Sequence, residues 1–286
     1  MAGETDFSGV VGRERTAFDA VTPGPLQRFC AVLDREVPAF APGDPVPPLA
    51  HWLLFLGADR QSGLGPDGHA ARGDFLPDAP DLPRRMWAGN RIAFPGVIRV
   101  GMRLRRHSRI AAADLKHGAS GPLLFVTVRH EIAEEEGPAL LIDEHDIVYR
   151  AATSAKRGAL AEPVPKGRWH REVVADETLL FRYSALTFNG HRIHYDKDYA
   201  ASEGYPGLVV HGPLLATLMV DLIWRNAPEA VLTSYAFRAH RPIFCNEPFY
   251  LNGLPGEPDS RIELWTADKM GQKAMTAQAV LAEGTT

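Results

Sequence analysis

The apolar positions of this chain fall into patterns that occur twice. "LQRFCAVLD" (Leu26–Asp34) and "LFRYSALTF" (Leu180–Phe188) both space apolar side chains three and four apart, which predicts short amphipathic helices. They align at a constant offset of 154 residues: Leu, Arg and Ala coincide, Phe29 meets Tyr183 and Cys30 meets Ser184. A second echo pairs "RIAFPGVIRVGMRL" (Arg91–Leu104) with "AFRAHRPIFCNEPF" (Ala236–Phe249) at an offset of 145. Each alternates apolar and polar residues through a turn-like centre, as a bent antiparallel strand pair would. Each half also carries one strongly apolar helix candidate, "PPLAHWLLFLG" (Pro47–Gly57) and "LVVHGPLLATLMVDLIW" (Leu208–Trp224). Strand-like runs close each half: "PLLFVTVRHEIA" and "IDEHDIVYRA" in the first, "RIELWTA" and "KAMTAQAVLA" in the second.

The recurring order predicts a duplication, with residues 1–155 as the first repeat and 156–286 as the second. A helix apolar on nearly every side must be wrapped, and one curved antiparallel sheet can do so. The expected class is therefore α+β. The halves differ in two places. Residues 58–85 form a long Gly-, Pro- and Asp-rich loop with no counterpart in the second half, and loops of that length are either disordered or functional lids and binding loops. At the offset of the first echo, Asn189 corresponds to Arg35 and His194 to Phe40. The polar cluster "FNGHRIHYD" (Phe188–Asp196) thus exists only in the second half, and the fold does not need it.

Composition narrows the function classes. The 286 residues are 45% apolar and 23% charged, as in ordinary globular proteins. A net charge of −4 and the lack of any basic block with interleaved aromatics argue against a nucleic-acid partner. Only six of the 31 basic residues are lysine, a bias that reflects genome composition more than function. Cys30 and Cys245 make neither a disulfide framework nor a metal cluster, and read as buried thiols in a reducing compartment. The N-terminus lacks an apolar signal core, and no apolar stretch reaches the ~20 residues a membrane span needs. A cytoplasmic protein without a membrane partner is expected.

Candidate chemistry centres on the polar cluster. His191, His194 and Asp196 could in principle hold a metal, but no recognisable zinc ligand set is present, and no metal is expected. "IDEHD" (Ile142–Asp146) reads as charges decorating a strand end. "GLGPDG" (Gly63–Gly68) lies mid-loop, neither after a strand nor before a helix, so it is no dinucleotide site. Ser184 and Ser202 lack a nucleophile turn. Acid–base chemistry without a covalent step remains. His194 can titrate near neutrality, and Asn189 can hold a water but cannot take its proton. Gly212 at the start of an apolar helix would offer a free N–H to a carbonyl. A loop base and a helix-end amide are what water addition to an α,β-unsaturated thioester requires. A satisfied structural histidine and a packing glycine fit the same residues, and residue chemistry leaves both readings open.

"NGHRIHYDKDYAASEGYPGLVVHGPLLATL" (Asn189–Leu218) resembles the hydratase motif of the MaoC-like, R-specific enoyl-CoA hydratases, D-x-N-P-[LIV]-H-x-D followed by an alanine pair and V-H-G-M-L-x-[AS]. His194, Asp196, Ala200–Ala201 and His211–Gly212 fall on their places without a gap. The resemblance implies a hot-dog fold, here a double hot dog with a long central helix in each repeat. It also implies an acyl-CoA substrate, no cofactor, His194 and Gly212 in catalysis, and Asp196 and His211 beside the substrate. The chain departs from the pattern where the family's aspartate becomes Asn189 and its Asn-Pro becomes His191–Arg192. "RYSALTFNGHRIHYD", "PRRMWAGNRIAFPGVIRVGMRLRR" and "GPLLFVTVRHEI" resemble the branch of mitochondrial 3-hydroxyacyl-thioester dehydratases and bacterial hydratases of branched C5 dicarboxylyl-CoA esters. That branch implies itaconyl-CoA or 3-methylfumaryl-CoA as substrate, hydrated to citramalyl-CoA, with His194 as main proton-transfer group and Asn189 positioning the water. A free carboxylate calls for an arginine, and Arg84 and Arg85 at the end of the long loop are the candidates. The alternatives are a fatty-acid-type (3R)-hydroxyacyl-thioester dehydratase and an acyl-thioester binder or thioesterase. A homodimer is expected from exposed sheet edges.

Overall fold

The computed structural model describes residues 6–118, 121–151, 162–256 and 260–282. Its strands are β1 (Glu14–Ala20), β2 (Arg84–Ala93), β3 (Arg103–Gly118), β4 (Gly121–Glu134), β5 (Ala139–Arg150), β6 (Trp169–Val174), β7 (Leu232–Ala239), β8 (Pro248–Pro255), β9 (Arg261–Ala267) and β10 (Lys273–Leu281). The helices are α1 (Pro23–Val32), α2 (Glu177–Thr187), α3 (Lys197–Ser202) and α4 (Gly212–Asn226). All ten strands join one sheet in the order β1-β3-β4-β5-β2-β7-β10-β9-β8-β6. Outward from the central β2–β7 pair, each half lays down its strands in the same sequence, the arrangement of a double hot dog. At that centre Gly89 faces Arg238, and a Cβ on Gly89 would lie 2.2 Å from the Phe237 carbonyl oxygen. Only glycine lets the halves approach so closely.

The helix echo is α1 and α2. The second echo is real but differs from a bent strand pair. β2 sits between β5 and β7, whereas β3 sits between β1 and β4, so each echoed segment crosses from the centre of the sheet to an outer strand. The boundary expected between residues 155 and 156 lies outside the described residues. Among the described residues, no helix is long and apolar enough to cross a membrane. Cys30 is buried and Cys245 half-buried, and both are free thiols.

In the second half, α4 is the wrapped helix: every residue from Leu214 to Ile223 is buried, and it packs on β6, β8, β9 and β10. It ends at Asn226, two residues before Pro228, which cannot continue a helix. Pro47–Gly57 forms no such helix. It makes only a 3₁₀ turn, Ala50–Leu53, entered through Leu49 at φ 67° and left through an extended Leu54. Pro47 and Pro48 withhold two N–H donors, and His51 and Trp52 turn instead to Asp143, with contacts of 3.2 and 3.1 Å. The space a central helix would fill in the first half is left to a cavity.

Two apolar clusters flank that cavity. The larger runs from α1 through α4 and includes Ile92, Leu104, Ile132 and Leu141 of the first-half strands. The smaller joins Ile110, Leu124, Val126, Val128, Ile147 and Tyr149 to Phe75, Ala79 and Leu82 of the 58–85 loop. The loop is thus anchored in a core of its own. Arg35, the counterpart of Asn189, ties the halves together: it reaches the fully buried Asp221 of α4 at 3.2 Å, alongside Arg171 at 2.8 Å and Arg225 at 2.6 Å. Phe40, the counterpart of His194, packs on the large core.

Candidate active site

The polar cluster is shaped by two reversals. α2 ends with Phe188 in the left-handed region at φ 50°, and the Asn189 N–H closes the cap on the Ser184 carbonyl at 2.8 Å. The Asn189 side-chain oxygen then accepts the His191 N–H at 2.9 Å, turning the chain again. A short 3₁₀ turn, Arg192–His194, delivers His194 into the interior. Its Nδ1 lies 2.7 Å from the Val209 carbonyl. A carbonyl only accepts, so Nδ1 carries the proton and Nε2 keeps its lone pair. Burial depresses the His194 pKa to about 3, so the ring is neutral at pH 7.

Behind His194 lies His211, stacked at 3.6 Å between ring centres and 18° between planes. His211 Nε2 contacts the Ser184 hydroxyl at 2.8 Å, and the edge of Tyr183 closes the pocket. Gly212 follows as the first residue of α4, where a helix N–H has no partner in the preceding turn. A Cβ there would meet nothing nearer than Met275 Cε at 3.9 Å. Packing therefore does not demand glycine, and the open space in front of its amide belongs to the cavity.

That cavity, of about 1260 Å³, is lined by His194, Asn189, Gly212, Arg84 and Arg85 among others. Two residues expected at the substrate are not in it. His211 is fully buried and touches the site from behind, through the His194 ring and the Ser184 hydroxyl. Asp196 caps α3 through the Tyr199 N–H at 2.9 Å and pairs with Arg192 at 2.7 Å, so its oxygens are spent on holding the loop. The two arginines also differ: Arg84 is paired with Glu203 at 2.8 Å, whereas Arg85 is half-buried beside Tyr149 and Asp67, and burial lowers its pKa.

The sequence reading missed two sets of cavity residues. One comes from the long loop. Asp67 Oδ2 lies 3.1 Å from His69 Nδ1, and the His69 ring is 4.3 Å from that of His191, itself 5.5 Å from His194. The loop docks directly on the cluster. The Arg192 N–H donates to the Asp67 carbonyl at 3.0 Å, which a proline at this position could not do. A Cβ on Gly68, already at φ +86°, would lie 2.0 Å from the Gly190 carbonyl oxygen. The departures from the motif at residues 191 and 192 are therefore the contacts that receive this loop. Donor atoms of Asp67, His69 and His191 all lie within 4.8 Å of one another. Arg72, 3.9 Å from Asp67, and the nearby Arg85 oppose a cation there, so the trio reads as an imidazole–carboxylate pair with a neighbouring ring.

The other set lies on the sheet. "IDEHD" is not decoration at a strand end, because alternation splits it. Glu144 and Asp146 pair outside with Arg91, while Asp143 and His145 face the cavity. On neighbouring strands Arg106 and His130 take matching inward positions, making a polar band between the two apolar clusters. Burial holds His130 near 3 and His145 near 4. Inward-phase polar residues on three successive strands are the signal that could have found them.

Comparison with known proteins places this geometry. Residues 49–245 match the family model of hydroxyacyl-thioester dehydratase type 2. A curated relative from Chloroflexus aurantiacus, mesaconyl-C(4)-CoA hydratase, is 42% identical over 282 residues, covering 96% of this chain and 98% of that protein. Among solved structures, a MaoC-like dehydratase from Phytophthora capsici superposes with a TM-score of 0.73 at 14% identity, covering 98% of this chain and 99% of that one. A Mycobacterium tuberculosis protein described as having a double hot-dog fold gives 0.61 at 12% identity, covering 95% and 96%. The matched family spans the loop, the inward strands and the polar cluster alike: the chain is an enzyme of the hydro-lyase class and belongs to the hydroxyacyl-thioester dehydratase type 2 family.

Proposed function

We propose that the protein hydrates a short, branched C5 dicarboxylyl-CoA thioester, 3-methylfumaryl-CoA (mesaconyl-C4-CoA), to citramalyl-CoA. The observation that carries this reading is the polar band across the cavity wall. Arg85, Arg106, His130, Asp143 and His145 stand where a fatty acyl chain would require apolar walls. The 42% identical relative, named for the same substrate, supports it. In 3-methylfumaryl-CoA the double bond is conjugated to the thioester, so charge developing on attack can pass to the carbonyl oxygen. In itaconyl-CoA the double bond is one carbon further away, and an amide at the carbonyl gives no such help.

In this mechanism the thioester oxygen sits at the Gly212 N–H. The neutral Nε2 of His194 accepts a proton as the water oxygen bonds to the β-carbon. The electron pair moves onto the thioester oxygen, and on its return the α-carbon takes the proton back. One O–H bond and the C=C π bond break, one C–O and one C–H bond form, and His194 ends as it began. Asn189, with its side-chain oxygen held by His191, offers its amide protons to the water. Arg85 is the proposed partner of the free carboxylate, since Arg84 is already paired with Glu203.

The test is a comparison of 3-methylfumaryl-CoA with crotonyl-CoA, followed at the enoyl-thioester absorbance together with free thiol. The expected result is hydration of the first at a kcat/KM at least about 100-fold above the second, without CoA release. Equal values would remove the carboxylate clamp, and CoA release would make the protein a thioesterase.

A further inference from the structure

Two imidazoles in the cavity wall are prepared as bases, and their anchors differ. His194 rests its Nδ1–H on a carbonyl, at 2.7 Å from the Val209 oxygen. His69 rests its own on a carboxylate, with Nδ1 3.1 Å from Asp67 Oδ2, and its backbone N–H donates to Oδ1 at 3.0 Å. Both rings keep Nε2 for the cavity they line. A carboxylate neutralises the imidazolium formed on proton uptake, whereas a carbonyl dipole offers only a partial charge.

The groups around His69 fit this use. It faces Asp67, His191, Arg72 and Arg85, with Arg72 3.9 Å from Asp67 and the His191 ring at 4.3 Å. The His69 hydrogen bonds outweigh burial and, with the charge of Arg85, keep Asp67 ionised, its carboxyl held well below the usual range. The loop is fixed on the site at three points: Gly68 against Gly190, the Arg192 N–H on the Asp67 carbonyl at 3.0 Å, and the Arg192 guanidinium on the Pro66 carbonyl at 3.0 Å.

We propose that Asp67 and His69, carried in by the first half's long loop, are the base that takes the proton from the attacking water, while His194 holds the same water through Nε2. The inference rests on the hydratase reading and reassigns one of its roles. The water O–H bond breaks toward His69 Nε2 as the water oxygen bonds to the β-carbon, and the C=C π pair moves onto the thioester oxygen at the Gly212 N–H until the α-carbon is protonated. The imidazolium, compensated by Asp67, then gives that proton to the α-carbon, and the pair is regenerated.

Steady-state hydration of 3-methylfumaryl-CoA by His69→Ala, His69→Gln and Asp67→Asn tests the assignment. For both His69 variants kcat falls about 100-fold or more with KM within about 3-fold, the contribution usual for a general base. Imidazole added to His69→Ala restores part of the rate, which a merely structural loss would not allow. Asp67→Asn moves the acid limb of kcat to lower pH, because removing the carboxylate makes His69 a weaker base. An active wild type with an unimpaired His69→Ala overturns the dyad alone. So does a loss that imidazole does not restore, or wild-type activity abolished by a chelator and recovered with a divalent metal. A wild type that hydrates no enoyl-thioester overturns the hydratase reading with it.

Discussion

His194 is made a neutral acceptor by three neighbours: the Val209 carbonyl fixes its tautomer, His211 its plane, and burial its charge. Two substitutions separate the chemistry from its support. His211→Phe keeps a flat ring behind His194 but loses the contact to Ser184, so kcat should drop about 10-fold, the worth of roughly one hydrogen bond. Arg85→Gln should leave kcat nearly intact and raise KM for 3-methylfumaryl-CoA about 10- to 100-fold, as expected for a charge-assisted contact. KM for crotonyl-CoA should hardly move, and parallel assays of both substrates check this. One short sequence segment carries the spacing of His194, Asn189 and Gly212, and the fold brings all three to one cavity. His211 and Asp196 lie outside its lining, because spacing brings a side chain near a site without saying which way it turns.

At the scale of elements, the site depends on two departures from symmetry. The first half replaces a wrapped helix with a 3₁₀ turn, which opens the cavity, and adds a loop, which closes part of it. Gly68→Ala tests the closure. Its Cβ would strike the Gly190 carbonyl from a left-handed backbone, so the loop tip must lift from the polar cluster. Hydration should fall at least about 10-fold while thermal unfolding shifts little, since Phe75 and Leu82 still anchor the loop. The helices α1, α2 and α4 and most strands were readable from local periodicity. The turn at Ala50–Leu53 was not, because its apolar composition suits a helix and the contacts of His51 and Trp52 to Asp143, which add to the effect of Pro47 and Pro48, join residues far apart in sequence. The docking of Asp67 on Arg192 was equally hidden, since it joins residues far apart in sequence.

The whole molecule keeps several histidines neutral at once. His130, His191 and His194 are held near pKa 3 and His145 near 4, while His211 is pushed well below its usual value, in each case mainly by burial. Their folded values lie below the unfolded ~6.5, so the unfolded chain binds more protons as pH falls. Stability is therefore full above about pH 6.5 and is lost below it, by up to about 1.4 kcal/mol per pH unit for each such ring. Thermal unfolding from pH 8 to 5 should show a plateau and then a steep decline below 6.5. Asp221 makes a different contribution by joining Arg35 of the first half to Arg171 and Arg225 of the second. Asp221→Ala should destabilise by about 3 kcal/mol in denaturant unfolding, because it strands cations arranged around a buried carboxylate. The paired order of strands was foreshadowed by the echoes; the polar band at Arg106, His130, Asp143 and His145 emerges only once three strands are in register.

The proposed water-adding site makes His194 necessary for turnover of an enoyl-thioester. A single-turnover reaction of excess wild-type enzyme or His194→Ala with 3-methylfumaryl-CoA, monitored at the enoyl-thioester absorbance, tests it most directly. Rapid loss of the enoyl signal with citramalyl-CoA as product is expected for the wild type, and a rate at least about 100-fold lower for the variant. Equal rates for the two proteins would contradict it.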